Sequence, residues 1–225
     1  CLPWPTSEVI QKLYQSSHVN NFRGAQLEAC KSGIGYYCDL QSLNSEDAIT
    51  WSVFGTVARA DQRQKEKWVA GLLALLDLKE ASPDQADIFL WRRIPHPDTL
   101  GQSGPEIDFG IMTRNALILG EAKWLSNVRA AQGKNKDKDQ IKLRGEFLKK
   151  YGGRLFPSST VQAVVGLSFL PDAITNTAPS EVLFRAATWE EVCSLSSHPN
   201  ADEVQRYFCW KKENAKIAKK RAEIL

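Results

Sequence analysis

Residues Val161–Phe169 read VQAVVGLSF, apolar at nearly every position. A strand with this pattern is buried on both faces, so it belongs at the centre of a sheet with other layers above and below it. The flanking segments supply those layers. Strands are expected at Asp87–Ile94, ended by Pro95 and Pro97, at Glu106–Met112, at Ala116–Trp124 and at Val182–Ala187. A helix is expected from the Asn44-Ser45-Glu46-Asp47 start to about Arg59, with acids in its first turn, and a second near Gln62–Leu78 carrying Trp68, Leu72, Leu73, Leu75 and Leu76. A basic helix over Asp137–Tyr151 offers Ile141, Leu143, Phe147 and Leu148 for packing. Thr188-Trp189-Glu190-Glu191 has capping-box spacing, and a last helix covers about Asp202–Ala222. The order is helix, helix, three strands, helix, strand, strand, helix, helix. It predicts an α/β sandwich with a mixed sheet, a meander followed by a crossover through the basic helix.

Domain organisation follows from length and composition. With 225 residues, 43% apolar and 24% charged, the chain has the make-up of a globular protein and excludes wholesale disorder. One domain is expected: an N-terminal extension over 1–43, a core over 44–188 and C-terminal helices over 189–225. Within the extension, Thr6 or Ser7 caps a helix through about Tyr14, and Lys31–Asp39 is a glycine-punctuated turn region. No stretch of about 18 apolar residues exists, so no transmembrane helix and no membrane partner are expected. The opening CLPWPTSEVI lacks a basic segment ahead of an apolar run, so no secretory leader is expected. Five cysteines, an odd number without CxxC spacing, argue against a zinc site or a disulfide framework and for reduced thiols in a cytoplasmic protein.

Charge is unevenly distributed. Residues 123–154 hold ten Lys and Arg against three Asp and Glu, and residues 206–225 hold seven against two, although the whole chain carries only +3. Two basic regions on a nearly neutral chain suggest a polyanionic partner; the competing reading is two solvated helix faces.

The segment most informative about chemistry is Pro105–Lys123, PEIDFGIMTRNALILGEAK. If Arg114-Asn115 is a two-residue hairpin loop, with Asn tolerating the positive φ such loops need, Thr113 faces Ala116. Counting outward, Met112 faces Leu117, Gly110 faces Leu119, and Asp108 faces Glu121. Alternation puts Asp108, Glu121 and Lys123 on one face and Ile107, Phe109, Ile111, Ile118 and Ala122 on the other, which is core. Glu106 faces Lys123 in the same register. Opposed carboxylates repel unless a cation lies between them. Mg²⁺ is held by one or two carboxylates and keeps several waters, and Lys123 is placed to steady a water or a phosphate beside it. A solvated sheet edge with a Glu–Lys pair is the alternative on geometry alone.

Asp108, twelve intervening residues and then Glu121-Ala122-Lys123 resemble the D…(D/E)xK signature of the PD-(D/E)XK nuclease superfamily, with Pro105 displaced from its usual place beside the Asp. The order of elements over about Asn44–Thr188 is similar to that family's. The resemblance implies a restriction-endonuclease-like three-layer sandwich, a mixed sheet of about five strands flanked by helices. It implies a nuclease hydrolysing DNA phosphodiester bonds with Mg²⁺, for which Mn²⁺ can substitute. Asp108 and Glu121 would be the metal carboxylates, the Ala122 carbonyl a further ligand, and Glu46 the upstream acid, with Asp47 competing for that place. Glu46 starts the helix stripe Ile49, Val53 and Val57. Lys123 would assist the attacking water, and Gln140 would orient water or phosphate. Gln140 shares a face with Arg144, so either could serve. Lys134, Lys136, Lys138, Lys142 and Arg144 would lie along the DNA backbone. A homodimer is an arrangement many such nucleases use to cut both strands. The rival implication is a non-cleaving nucleic-acid-binding or assembly domain that retains the fold.

Overall fold

The computed structural model describes residues 45–99, 104–124, 139–171 and 173–222, with side chains as far as Glu213. The expected N-terminal helix, the Lys31–Asp39 turn region, and Lys134, Lys136 and Lys138 lie outside the described residues.

Five strands form one sheet in chain order: β1 (Asp87–Arg93), β2 (Glu106–Met112), β3 (Ala116–Lys123), β4 (Val161–Ser168) and β5 (Leu183–Thr188). β1, β2 and β3 are an antiparallel meander; β3, β4 and β5 run parallel. The mixed sheet expected from the element order is therefore present. Helix α1 starts at Glu46–Thr50, passes through a π-helical turn at Trp51–Gly55 and ends with Thr56–Ala58. It is followed by α2 (Gln62–Leu75). α3 (Gln140–Phe147) continues through a second π turn, Leu148–Gly152, into Gly153–Leu155. α4 (Trp189–Cys193) opens with the complete Thr188/Glu191 capping box, and α5 covers Ala201–Ala222.

Helices cover both sheet faces. On one face Ile49, Val53, Phe54 and Val57 of α1, Trp68 and Leu72 of α2, Trp189 of α4 and Phe208 of α5 pack on Phe109, Ile111, Ile118, Ala163, Val165 and Leu167. On the other, Ile141, Phe147 and Leu148 of α3 pack on Leu117, Leu119 and Val164. β4 thus sends alternate residues into two cores, as its two-sided apolar run requires. Gly120 lies beneath the Phe109 ring: a Cβ there would sit 2.2 Å from ring atoms, and that ring stacks on Phe54 at 4.0 Å between centroids. His198 is a packing residue. Its Nδ1 accepts from the Asn200 N–H, so Nε2 donates to the Val53 carbonyl at 3.1 Å.

The hairpin register follows the sequence count, with Met112 opposite Leu117 and Gly110 opposite Leu119. The turn does not. Neither Arg114 nor Asn115 has a positive φ. The loop is held from outside instead: Asn115 accepts from the Ser82 N–H at 2.7 Å and donates to the Glu80 carbonyl, while the Arg114 N–H donates to the Asp84 carbonyl.

Ile107 also departs from the expected pattern. It is fully buried, but with Ile94, Leu117 and Leu119, on the face opposite Phe109 and Ile111. Alternation breaks at Asp108, which has no ladder partner on either neighbouring strand. Trp91, across from Asp108 in the β1–β2 register, has φ 53°. A left-handed backbone at a bulky residue costs about 1–2 kcal/mol and turns the following side chains to the other face. Trp91 is held there by stacking on Trp51 of the π turn, at 5.9 Å between centroids.

Candidate active site

The break in β2 lies where the antiparallel ladder ends and only the parallel partner accompanies β3. The last β2–β3 pair is Phe109–Gly120, whereas β3 stays paired with β4 through Lys123–Ser168. Asp108 is thereby released from the ladder, and its Oδ2 accepts from the Ala122 N–H at 2.7 Å. In an extended strand a residue's N–H and C=O point the same way. The Ala122 carbonyl is therefore also turned toward β2, beside Asp108.

The expected residues come together here. Lys123 Nζ lies 2.6 Å from Glu121 Oε1 and 3.1 Å from Glu46 Oε1. Glu46 arrives from the first turn of α1, which is fixed by the Ser45 cap accepting from the Ala48 N–H. Between the two upstream candidates, these contacts put Glu46 on the lysine. Glu121 is wholly buried and Lys123 is 12% exposed, whereas Asp108 and Glu46 are partly open. Burial pushes the Glu121 carboxyl up, and the Asp108 charge pushes it further, to about 8; Arg144 and Lys123 only partly offset this. Burial works against the Lys123 ammonium, but Glu121, Asp108 and Glu46 outweigh it and hold its pKa above the usual lysine value.

Arg144 requires a correction. It does not line a DNA-facing surface. Its side chain is fully buried, with Nη2 against Glu121 Oε2 and donating to the Glu106 carbonyl at 2.7 Å. The physical reason is its place in α3, where Ile141, Arg144 and Leu148 form one i, i+3, i+7 stripe that faces the sheet. A charge inside an apolar stripe is the sequence signal that a buried partner awaits it. The Glu106 carboxylate, expected opposite Lys123, lies 3.7 Å from Arg93.

Gln140 opens α3 one turn before Arg144 and is half-buried, as is Lys142. Further along the basic helix Lys149 pairs with Glu181 and Lys150 with Asp98. Across the parallel half of the sheet Lys123, Ser168 and Thr188 are register partners. Ser168 and Thr188 line a cleft with Phe169, Ile174 and Glu190.

The cluster contains three carboxylates and two cations. Among the described residues, no group of three or more His, Cys, Asp or Glu side chains forms a metal cage. The donors present, Asp108, Glu121, Glu46 and the Ala122 carbonyl, are all oxygens, which suits a hard cation that needs one or two carboxylates and retains water. Burial first and then the Asp108 charge raise the Glu121 carboxyl, and a cation between the two acids would relieve their repulsion. No helix among the described residues is long and apolar enough to cross a membrane. No protein-family model, no curated protein and no solved structure matches the chain.

Proposed function

We propose that this chain is a divalent-metal-dependent nuclease that hydrolyses DNA phosphodiester bonds, with a restriction-endonuclease-like core of the PD-(D/E)XK type. The observation that carries the reading is the Lys123 ammonium bridging Glu121 and Glu46 beside Asp108, at the strand ends where β2 leaves β3.

Asp108, Glu121 and the Ala122 carbonyl would hold Mg²⁺ or Mn²⁺, with Glu46 on the helix side. The ion would supply Lewis acidity toward the phosphoryl oxygen and the attacking water. Lys123 acts as a cation. Its raised pKa keeps it protonated at neutral pH, so it donates hydrogen bonds and charge to a water or to the phosphate and does not accept the water's proton. Glu121 and Arg144 are themselves fully buried, which strengthens the charge interactions they make. Gln140, in the first turn of α3, would orient the water or the phosphate. Lys142 and the basic residues before it would add salt-sensitive contacts to the DNA backbone.

Plasmid nicking in Mg²⁺ tests the proposal. Wild-type protein should cleave, and Lys123→Ala should reduce the rate by about 10²–10³. Binding of DNA without cleavage in Mg²⁺, Mn²⁺, Co²⁺ or Ca²⁺ would refute the hydrolase and leave the non-cleaving nucleic-acid-binding domain.

A further inference from the structure

Both oxygens of Glu121 are already taken by cations of this chain, Oε1 by Lys123 and Oε2 by Arg144. The two cations differ. Lys123 is partly exposed and has a second acid, Glu46, to rest on. Arg144 is wholly buried, and Glu121 is the acid it pairs with. Its guanidinium also spends itself poorly. Nη2 alone serves both Glu121 and the Glu106 carbonyl, while Nε and Nη1 are buried without a hydrogen-bond partner. An arginine that orients a carboxylate frequently does so through a bidentate fork. Arg144 instead delivers a buried positive charge to one oxygen and leaves most of its donors unspent.

We infer that Arg144 is a resident counter-cation of the metal site. Its positive charge faces Glu121 when no metal is bound, and it competes with a divalent ion for that carboxylate. The inference rests on the metal reading of the site proposed above. Without Arg144, a buried Glu121 beside Asp108 would have only Lys123 against it. With Arg144, an incoming ion must share or displace a positive charge in a dry environment, where like charges interact strongly. A proton also competes for Glu121, but it carries one charge and the metal two. Losing the guanidinium therefore favours the metal over the proton. A residue that merely positioned Glu121 would have the opposite effect, since its loss would weaken metal binding.

The sign of the change in affinity decides the question. Mn²⁺ binding is measured by EPR titration of the full chain without nucleic acid, for wild type and for Arg144→Met, which keeps the volume and removes the charge. At least about tenfold tighter binding by Arg144→Met is expected, about 1.4 kcal/mol. Unchanged or weaker binding by a variant that melts cooperatively overturns the inference. If Arg144→Met does not fold, Arg144→Gln, which also removes the charge, is read in its place, and tighter Mn²⁺ binding supports the inference while unchanged or weaker binding overturns it. Equal Mn²⁺ binding by wild type and variant removes the role of Arg144 and leaves the nuclease reading standing. Absence of Mn²⁺ binding in both overturns the two together.

Discussion

Metal binding to this site should release a proton, because Glu121 is a carboxyl that burial and Asp108 hold up at about 8 against an ordinary 4.5. A divalent ion binds the carboxylate and not the acid, so apparent affinity scales with the ionised fraction. With a pKa near 8, about 1% of Glu121 is ionised at pH 6, about a tenth at pH 7 and half at pH 8. Mn²⁺ affinity should therefore rise about tenfold from pH 6 to 7, about fivefold from 7 to 8, and less than about twofold from 8 to 9. The sign for stability runs the opposite way without metal. The folded state prefers the protonated acid, so this contribution is complete below 4.5 and is lost as the pH rises through 8. Calorimetric titration of Mn²⁺ at each pH, in two buffers of different protonation enthalpy, counts the protons directly: about 0.9 released at pH 7 and about 0.1 at pH 9. The same affinity at pH 6 and 8 with no proton release would refute the reasoning. It would mean that Lys123 and Arg144 together already ionise Glu121 despite its burial.

Two further substitutions test the frame that holds the site. Gly120→Ala drives a methyl into the Phe109 ring, which cannot retreat because it stacks on the buried Phe54; a loss of about 1–3 kcal/mol is expected in urea unfolding, and an unchanged midpoint would show that the ring can move. Lys211 of α5 is fully buried over the Trp124 ring at 4.8 Å, and burial lowers its pKa to about 8. Folding with a charged Lys211 is therefore penalised below pH 8, and the penalty fades as the pH rises from 8 toward 10.5. Lys211→Met should raise Tm at pH 7 and lose that advantage near pH 10; a lowered Tm at pH 7 would show that the contacts of the ammonium, the one over Trp124 among them, outweigh the burial.

The parts of this structure legible in the sequence are those set by neighbours along the chain. The apolar run of β4 demands two covered faces whatever covers them. The hairpin register follows from a two-residue loop as far as the Phe109–Gly120 pair; Asp108 leaves the ladder there and reaches the site through the Ala122 N–H instead of facing Glu121 as counted, and Glu46 follows from its place at the start of a helix stripe. The misread parts depend on partners distant in sequence. Arg114-Asn115 needs no positive φ because residues 80–84 hold the loop. Ile107 changes face because Trp91, stacked on Trp51, twists the neighbouring strand.

Charge patterning has the same weakness in sharper form, since a sequence counts charges but not the acids that meet them. Lys123, Arg144, Lys149 and Lys150 all belong to the basic stretch 123–154, and each faces a carboxylate within the fold. Lys149 and Lys150 are exposed, and surface pairs of this kind are worth about 0–1 kcal/mol, so a phosphate could exchange with Glu181 or Asp98 at little cost. Arg144 is different: extracting it would leave the buried Glu121 with Lys123 alone. On the nuclease reading, DNA contacts through the described part of this stretch would draw on Lys149, Lys150 and Arg154, while Arg144 would act on the Glu121 carboxylate beneath.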